Sequence, residues 1–246
     1  MLTKDTAICI RTTDYSETSQ IVTLFTRATG KISAIAKGSK RPKSAFDGPL
    51  EIFSYGQIVF SDSSREKLAT LTEFQQQPGF ADLANNLFAL NCCLFGAELV
   101  NSLTHDYDPH PELFDAFLQF LQNANEHQEH RNVLTLLILF QFTLLREIGL
   151  MPILNSCANC KTRYERRATS DECFFSSSAN GLICGDCEAS FPDKIKLSQN
   201  ALDCLANVKL LAEAQEKTLD EIQQVLVKHF TEILHRPPKM AKYVLS

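Results

Sequence analysis

The chain has 246 residues, of which 44% are hydrophobic and 22% charged, with a formal net charge of −5. Such totals fit an ordinary globular protein of one large or two to three small domains and exclude a low-complexity or disordered chain. Residues 1–6 lack the apolar core of a secretory signal, and the most apolar run, residues 133–145, is short for a membrane span and is interrupted by Gln141 and Thr143.

In chain order, the first eighty residues read as strands. Residues 7–11 (AICIR), 20–27 (QIVTLFTR), 31–36 (KISAIA), 51–60 and 67–72 are short runs rich in Ile, Val, Phe and Thr, separated by Gly, Pro, Asp and Ser. Residues 28–30 (ATG) form a turn. Five strands in about seventy residues fit a small closed barrel such as an OB-fold, and an SH3-like barrel shares the pattern. From Phe80 the period becomes helical. Residues 82–103 place Leu83, Leu87, Leu90, Leu94 and Leu99 at helical spacing, Pro111 opens a second helix, and Asn132 is placed to cap the apolar third, which ends near Gly149 and Pro152. Ser198 is placed to cap a fourth helix reaching about Ala214. Residues 218–221 (TLDE) read as a capping box for the last helix, which Pro237 and Pro238 stop. The expected architecture is α+β and multidomain: a five-stranded OB-fold barrel over residues 1–79, then an α-helical domain over 80–246 with a four-cysteine zinc module inserted at 155–190.

That module rests on cysteine spacing. Cys157 and Cys160 form one CxxC pair, and Cys184 and Cys187 form another. A two-residue gap turns both thiolates of a pair toward one point, and two such pairs supply a tetrahedral set of soft ligands for zinc. The separation between pairs is long, so the middle must loop out as a hairpin. Four protein ligands close the site, which makes the Zn²⁺ structural. The other five cysteines (Cys9, Cys92, Cys93, Cys173 and Cys204) sit singly in apolar surroundings, as buried thiols do in a reducing compartment. Cys173 lies inside the zinc loop and is a possible substitute ligand.

Charge is unevenly spread. Residues 1–46 hold eight Lys and Arg against three acids, while the remainder is strongly acidic, which argues for separate roles at the two ends. The loop at residues 37–43 (KGSKRPK) concentrates four cations. Lys37, Lys40, Arg41 and Lys43, joined by Arg11, Arg27 and Lys31, are the expected DNA-binding residues, because such a face neutralises phosphates without reading bases. Tyr15, Phe25, Phe46, Phe53, Tyr55 and Phe60 are nearby aromatics; stacking on bases is one use for them, and filling the barrel is the expected use of most of the Phe residues. Lys161, Arg163, Arg166 and Arg167 in the zinc loop can offset the charge of four thiolates. No phosphate loop, nucleophile elbow or HExxH motif is present, so no catalytic residues are assigned and the protein reads as a non-enzyme. A nuclease built on Asp106, Asp108 and His110, or a zinc-stabilised scaffold without DNA binding, are the competing readings.

Residues 14–27 (DYSETSQIVTLFTR), 30–38 (GKISAIAKG) and 41–44 (RPKS) together resemble the amino-terminal signature of the RecO family, bacterial recombination mediators in DNA repair. The order of barrel, helices and four-cysteine module agrees over nearly the whole chain. The resemblance implies binding of single- and double-stranded DNA and annealing of complementary strands. It also implies action with RecR to load the RecA recombinase onto DNA coated by single-stranded-DNA-binding protein (SSB). The family contacts the acidic, Phe-ending SSB tail, for which Arg131 or Arg146 is a candidate cation. It implies no nucleotide cofactor, no membrane, and a cytoplasmic, nucleoid-associated location.

Overall fold

A computed structural model describes residues 2–41, 44–46, 48–61, 68–164 and 172–245. Strands β1 (Leu2–Asp14), β2 (Gln20–Thr26), β3 (Gly30–Ala36), β4 (Tyr55–Ser61) and β5 (Ala69–Gln76) close a barrel in the order β1-β2-β3-β5-β4. All pairings are antiparallel except β3 with β5, joined in parallel through Ala34–Ala36 and Ala69–Leu71. This closed five-stranded order is OB-like and removes the SH3 alternative. β1 is longer than the expected 7–11 because it serves two neighbours. Its first half pairs with β4, and beyond an irregularity between Cys9 and Arg11 its second half pairs with β2 alone. β4 starts four residues later than expected, because residues 51–54 form a turn in which Phe53 adopts φ +69° and Ser54 N–H donates to Glu51 O.

Strand alternation sends one side chain in two into the barrel. Small Ala7, Ala34, Ala36 and Ala69 mix there with Leu24, Ile32, Phe60 and Phe74, as the taper of a small barrel requires. The opposite face of β2 places Phe25 against Phe114 and Phe117 of a helix, with ring centroids 5.8 and 6.5 Å apart.

The helices are α1 (Leu87–Leu103), α2 (Pro111–Glu126), α3 (His130–Glu147), α4 (Gln199–Ala206) and α5 (Glu216–Leu234). Between α3 and α4, strands β6 (Cys173–Ser176), β7 (Gly181–Cys184) and β8 (Ile195–Lys196) form a sheet in the order β7-β6-β8. The chain divides into two compact units. One comprises residues 1–85 and 97–125, and the other residues 86–96 and 126–246. The first unit therefore keeps α2 with the barrel. In the second, α3 is lined by buried Val133, Leu134, Leu137, Ile138, Leu144 and Leu145. Gln141 of α3 donates to Gln223 of α5 at 2.7 Å. No helix among the described residues is long and apolar enough to cross a membrane.

Four helix boundaries differ from expectation. α1 starts at Leu87 and not at Asp82, because Ala81–Asn85, which holds Leu83, forms a separate 3-10 turn. α3 starts at His130, so Asn132 falls inside the first turn and bonds the Glu129 carboxylate instead of capping. α5 starts at Glu216, which buries Thr218, and Glu221 accepts from the N–H and hydroxyl of Ser198, both at 2.6 Å. The capping box therefore does not form, because its acid is bonded to another helix start. Ser198 does cap α4, accepting from Ala201 N–H, but α4 ends at Ala206 and a 3-10 turn, Val208–Ala212, follows.

Candidate nucleic-acid interface and four-cysteine centre

The barrel register builds one outward face. Arg11, Thr23 and Ser33 form a rung across β1, β2 and β3, and Thr13, Ile21 and Ile35 form the next on the same side. Beyond Ile35 the chain leaves β3 at Lys37, and Gly38 takes φ +74°. The loop that follows is braced. Arg41 N–H donates to Gly38 O at 3.0 Å, Lys40 N–H to Thr18 O at 3.1 Å, and Gly38 N–H to Ser19 Oγ at 3.1 Å. Ser39 is buried and donates its hydroxyl to Gln20 Oε1 at 2.9 Å. The same Gln20 oxygen accepts from Leu50 N–H, and Gln20 Nε2 donates to Leu50 O, both at 3.0 Å. One buried amide thus ties both ends of the basic loop. Tyr15, Thr18, Ser19, Ile35, Lys37, Gly38 and Arg41 line a cleft of about 340 Å³ beside it.

The seven expected DNA-binding residues are placed differently. Arg11, Lys37 and Arg41 are exposed and have no carboxylate partner among the described residues. Lys40 is half-buried and pairs with Asp14 at 2.6 Å. Arg27 is exposed and grips Asp115 of α2 with two bonds of 2.9 and 2.8 Å. That pairing holds the Asp115 carboxyl below its usual range and raises the guanidinium in turn. Lys31 lies on the same outward side of β3 as Ser33 and Ile35, but it is buried against the end of α1. Its ammonium donates to Asn101 O and Thr104 O at the end of α1, each at 2.7 Å, and lies 3.5 Å from Asp106. A cation at a helix C-terminus is favoured there by the carbonyl dipoles. Lys43 lies outside the described residues. Of the aromatics, Phe25, Phe46, Phe53 and Phe60 are buried and Tyr55 is half-buried, whereas Tyr15 is 63% exposed. The clamp of Gln20 and Ser39 is the part that sequence reasoning missed; a polar pair within an apolar strand and a basic loop was its only trace.

The four cysteines of the two CxxC pairs converge. Their sulfurs all lie within 4.8 Å of one another, and Cys160 Sγ is 3.7 Å from Cys184 Sγ. A tetrahedral ion with metal–sulfur bonds of about 2.3 Å needs sulfurs about 3.8 Å apart, so the donor set fits a thiophilic metal. The intervening segment ends in the β6–β7 hairpin, whose register sets Cys173 opposite Cys184. Cys173 lies outside the converging set. The first pair sits in a tight turn: Cys157 N–H donates to Thr162 O, and Lys161, at φ +64°, returns its N–H to Cys157 O. Its ammonium bonds Ala158 O. The hydroxyl and main chain of Thr162 draw Cys160 down to about 6. Burial opposes ionisation of Cys157, yet N–H groups of Cys160, Cys184 and Asn159 pull its thiol below the ordinary value. This turn favours thiolates at Cys157 and Cys160, the form a metal binds, whereas at Cys187 the bond with Asn159 is outweighed by the neighbouring cysteines and burial, which push that thiol up to about 11. Burial instead pushes the Cys9, Cys92 and Cys93 thiols up. Arg166 and Arg167 lie outside the described residues.

Comparison with known proteins agrees with both halves. The family model described as "Recombination protein O N terminal" matches residues 1–77, and that described as "Recombination protein O C terminal" matches residues 84–241. The chain belongs to the RecO family. "DNA repair protein RecO" of Bacillus subtilis is 33% identical over 94% of this chain and 89% of its own length. The protein of the same name from Rhodopirellula baltica is 35% identical over 87% and 77%. That from Anaeromyxobacter dehalogenans is 31% identical over 87% and 82%.

Elsewhere in this RecO-family chain, the acids and histidines of the nuclease reading do not assemble. Asp106 faces Lys31, and His110 pairs with Asp108 at 3.3 Å. Among the described residues the four cysteines are the one group of His, Cys, Asp and Glu whose ligand atoms converge. His130 pairs with Glu216 at 2.6 Å and stacks on Phe88. Arg131 donates to Ala212 O and Ala214 O, whereas Arg146 is largely exposed beside Glu147.

Proposed function

We propose that this protein is a non-catalytic mediator of DNA repair and homologous recombination that binds single- and double-stranded DNA and anneals complementary strands through the outer face of β1, β2 and β3. The observation that carries this reading is the braced loop that leaves Lys37 and Arg41 exposed beside Ile35, one rung along the outward face from Arg11. Annealing needs a surface that neutralises two backbones and reads neither. Arg27 flanks that face and can exchange Asp115 for a phosphate, and Lys43, two positions after Arg41 in the sequence, is proposed as a further phosphate partner. Lys31 has a structural part, holding the end of α1. The acidity of the remaining chain confines DNA to the barrel.

The four-cysteine centre holds zinc, and its four protein ligands make the role structural. With RecR, the protein loads recombinase on SSB-coated DNA, as the family resemblance implies. The acidic SSB tail requires a cation beside apolar surface. Arg146 meets that need, seven residues after Leu139 on the same face of α3 and just before Leu150 and Met151, all three exposed.

The test is binding of a fluorescent single-stranded oligonucleotide at several salt concentrations, followed by addition of the complement. Salt-sensitive binding with accelerated annealing is expected. Combining Lys37→Ala, Lys40→Ala and Arg41→Ala should flatten the plot of log affinity against log salt by about 2, at roughly 0.7 for each phosphate no longer neutralised. An unchanged slope would place DNA elsewhere, and no binding at low salt would sink the mechanism.

A further inference from the structure

We infer that the cleft beside the basic loop is a subsite for one unstacked nucleotide of a single strand, with Tyr15 as the residue that stacks on its base. This rests on the nucleic-acid reading above and adds to it a means of preferring single strands to duplex.

Of the aromatics on or near the barrel, Tyr15 is the one turned to solvent, at 63% exposed. A large exposed ring on a floppy loop would carry little meaning, but this loop is not floppy. Tyr15 N–H and Ser16 N–H both donate to Ser19 O, at 3.0 and 3.2 Å. Thr18 O and Ser19 Oγ accept from the neighbouring basic loop, and Asp14 pairs with Lys40. The ring is therefore presented on a fixed mount, so little ordering entropy is lost when a base meets it.

The cleft has the parts one nucleotide needs. At about 340 Å³ it reaches the size of small-ligand sites, which begin at about 300 Å³. Tyr15 offers a π face and Ile35 an apolar surface. Lys37 and Arg41 stand at its edge as phosphate partners, and the Arg41 side chain lies over Gly38. The Ser19 hydroxyl accepts from Gly38 N–H and keeps its own proton to donate to a base edge. A base paired within duplex is stacked on both sides and has no face to give Tyr15, so duplex is held by the cations alone. Stacking of this kind tolerates any base.

The chain contains no tryptophan, so Tyr15→Trp creates a single-tryptophan reporter. Its emission should be quenched by a single-stranded oligonucleotide. It should stay unchanged with duplex, and with heparin, an anionic polymer without bases that still competes for the cations. In parallel, Tyr15→Ala should lower single-strand affinity about tenfold while leaving duplex affinity and the salt slope as they were. Tyr15→Phe, which keeps the ring, should bind as the native protein does. If Tyr15→Ala changes neither affinity while the triple cation variant lowers both, the stacking site is overturned and the DNA-binding face stands. If Tyr15→Ala lowers single-strand and duplex affinity equally, the ring supports the loop and does not read strandedness, which also overturns the inference. If the cation variant also binds normally, the DNA-binding face itself is wrong and the subsite falls with it.

Discussion

His229 lies on α5 with 2% of its surface exposed, its ring set edge-on against Phe175 of β6 at 5.3 Å. Neither ring nitrogen meets a hydrogen-bond partner among the described residues. Burial disfavours the imidazolium and pushes the group down to about 4. The folded state therefore binds fewer protons than the unfolded chain, whose histidine titrates near 6.5. Stability from the neutral ring is fully present above about 6.5 and is lost as pH falls toward 4. Between pH 7 and pH 5 the loss is about 2 kcal/mol. Urea titrations at both pH values should show it, and His229→Leu should remove that share of the difference. An identical pH dependence in the variant would mean that the ring titrates alike in the folded and unfolded chains. Lys31 is the opposite case at the same scale. Its positive charge marked it for phosphate, but a buried ammonium between two carbonyls is a structural cation, and no linear pattern distinguishes the two.

At the scale of elements, strands and helices were largely legible because period-2 and period-3.6 patterns report which side chains are buried. The five strands and five helices all stand near their expected places. What failed was local: Asn132 and Thr218 have the right chemistry for caps, but the helices begin two residues earlier and their polar partners were taken elsewhere. The clamp at Gln20 was invisible for a related reason, since it joins residues 19 and 30 positions apart. It nevertheless positions the functional loop. Gln20→Ala would strand Ser39 Oγ and both main-chain groups of Leu50 in the barrel, whereas Ser39→Ala removes one of the Gln20 bonds. Gln20→Ala should therefore cost about 2 kcal/mol or more by chemical denaturation, and clearly more than Ser39→Ala. Equal losses would mean that the loop is held by its packing and not by the amide.

For the whole molecule, the cation-rich segment and the four-cysteine set lie in different parts of the sequence. The cations proposed for DNA lie in residues 1–46, and the four cysteines lie in the acidic remainder. The uneven charge and the two CxxC pairs were readable because each depends on residue type and spacing alone; the geometry added which of the cations pair with carboxylates. The two features should then be separable. Cys157→Ser removes a fully buried ligand whose N–H already bonds Thr162 O, so the turn can persist while the donor set is broken. Metal content should fall below one per chain, and because metal binding is coupled to folding, the melting temperature should drop by many degrees. Below the new transition, the salt slope of DNA binding should match that of the native chain, since no proposed phosphate partner is altered. Stoichiometric zinc with unchanged melting would refute the four-thiolate assignment. Loss of the salt slope together with the metal would show instead that the cysteine module also neutralises phosphates, through cations such as Arg163, and that DNA spans more of the chain than the barrel face.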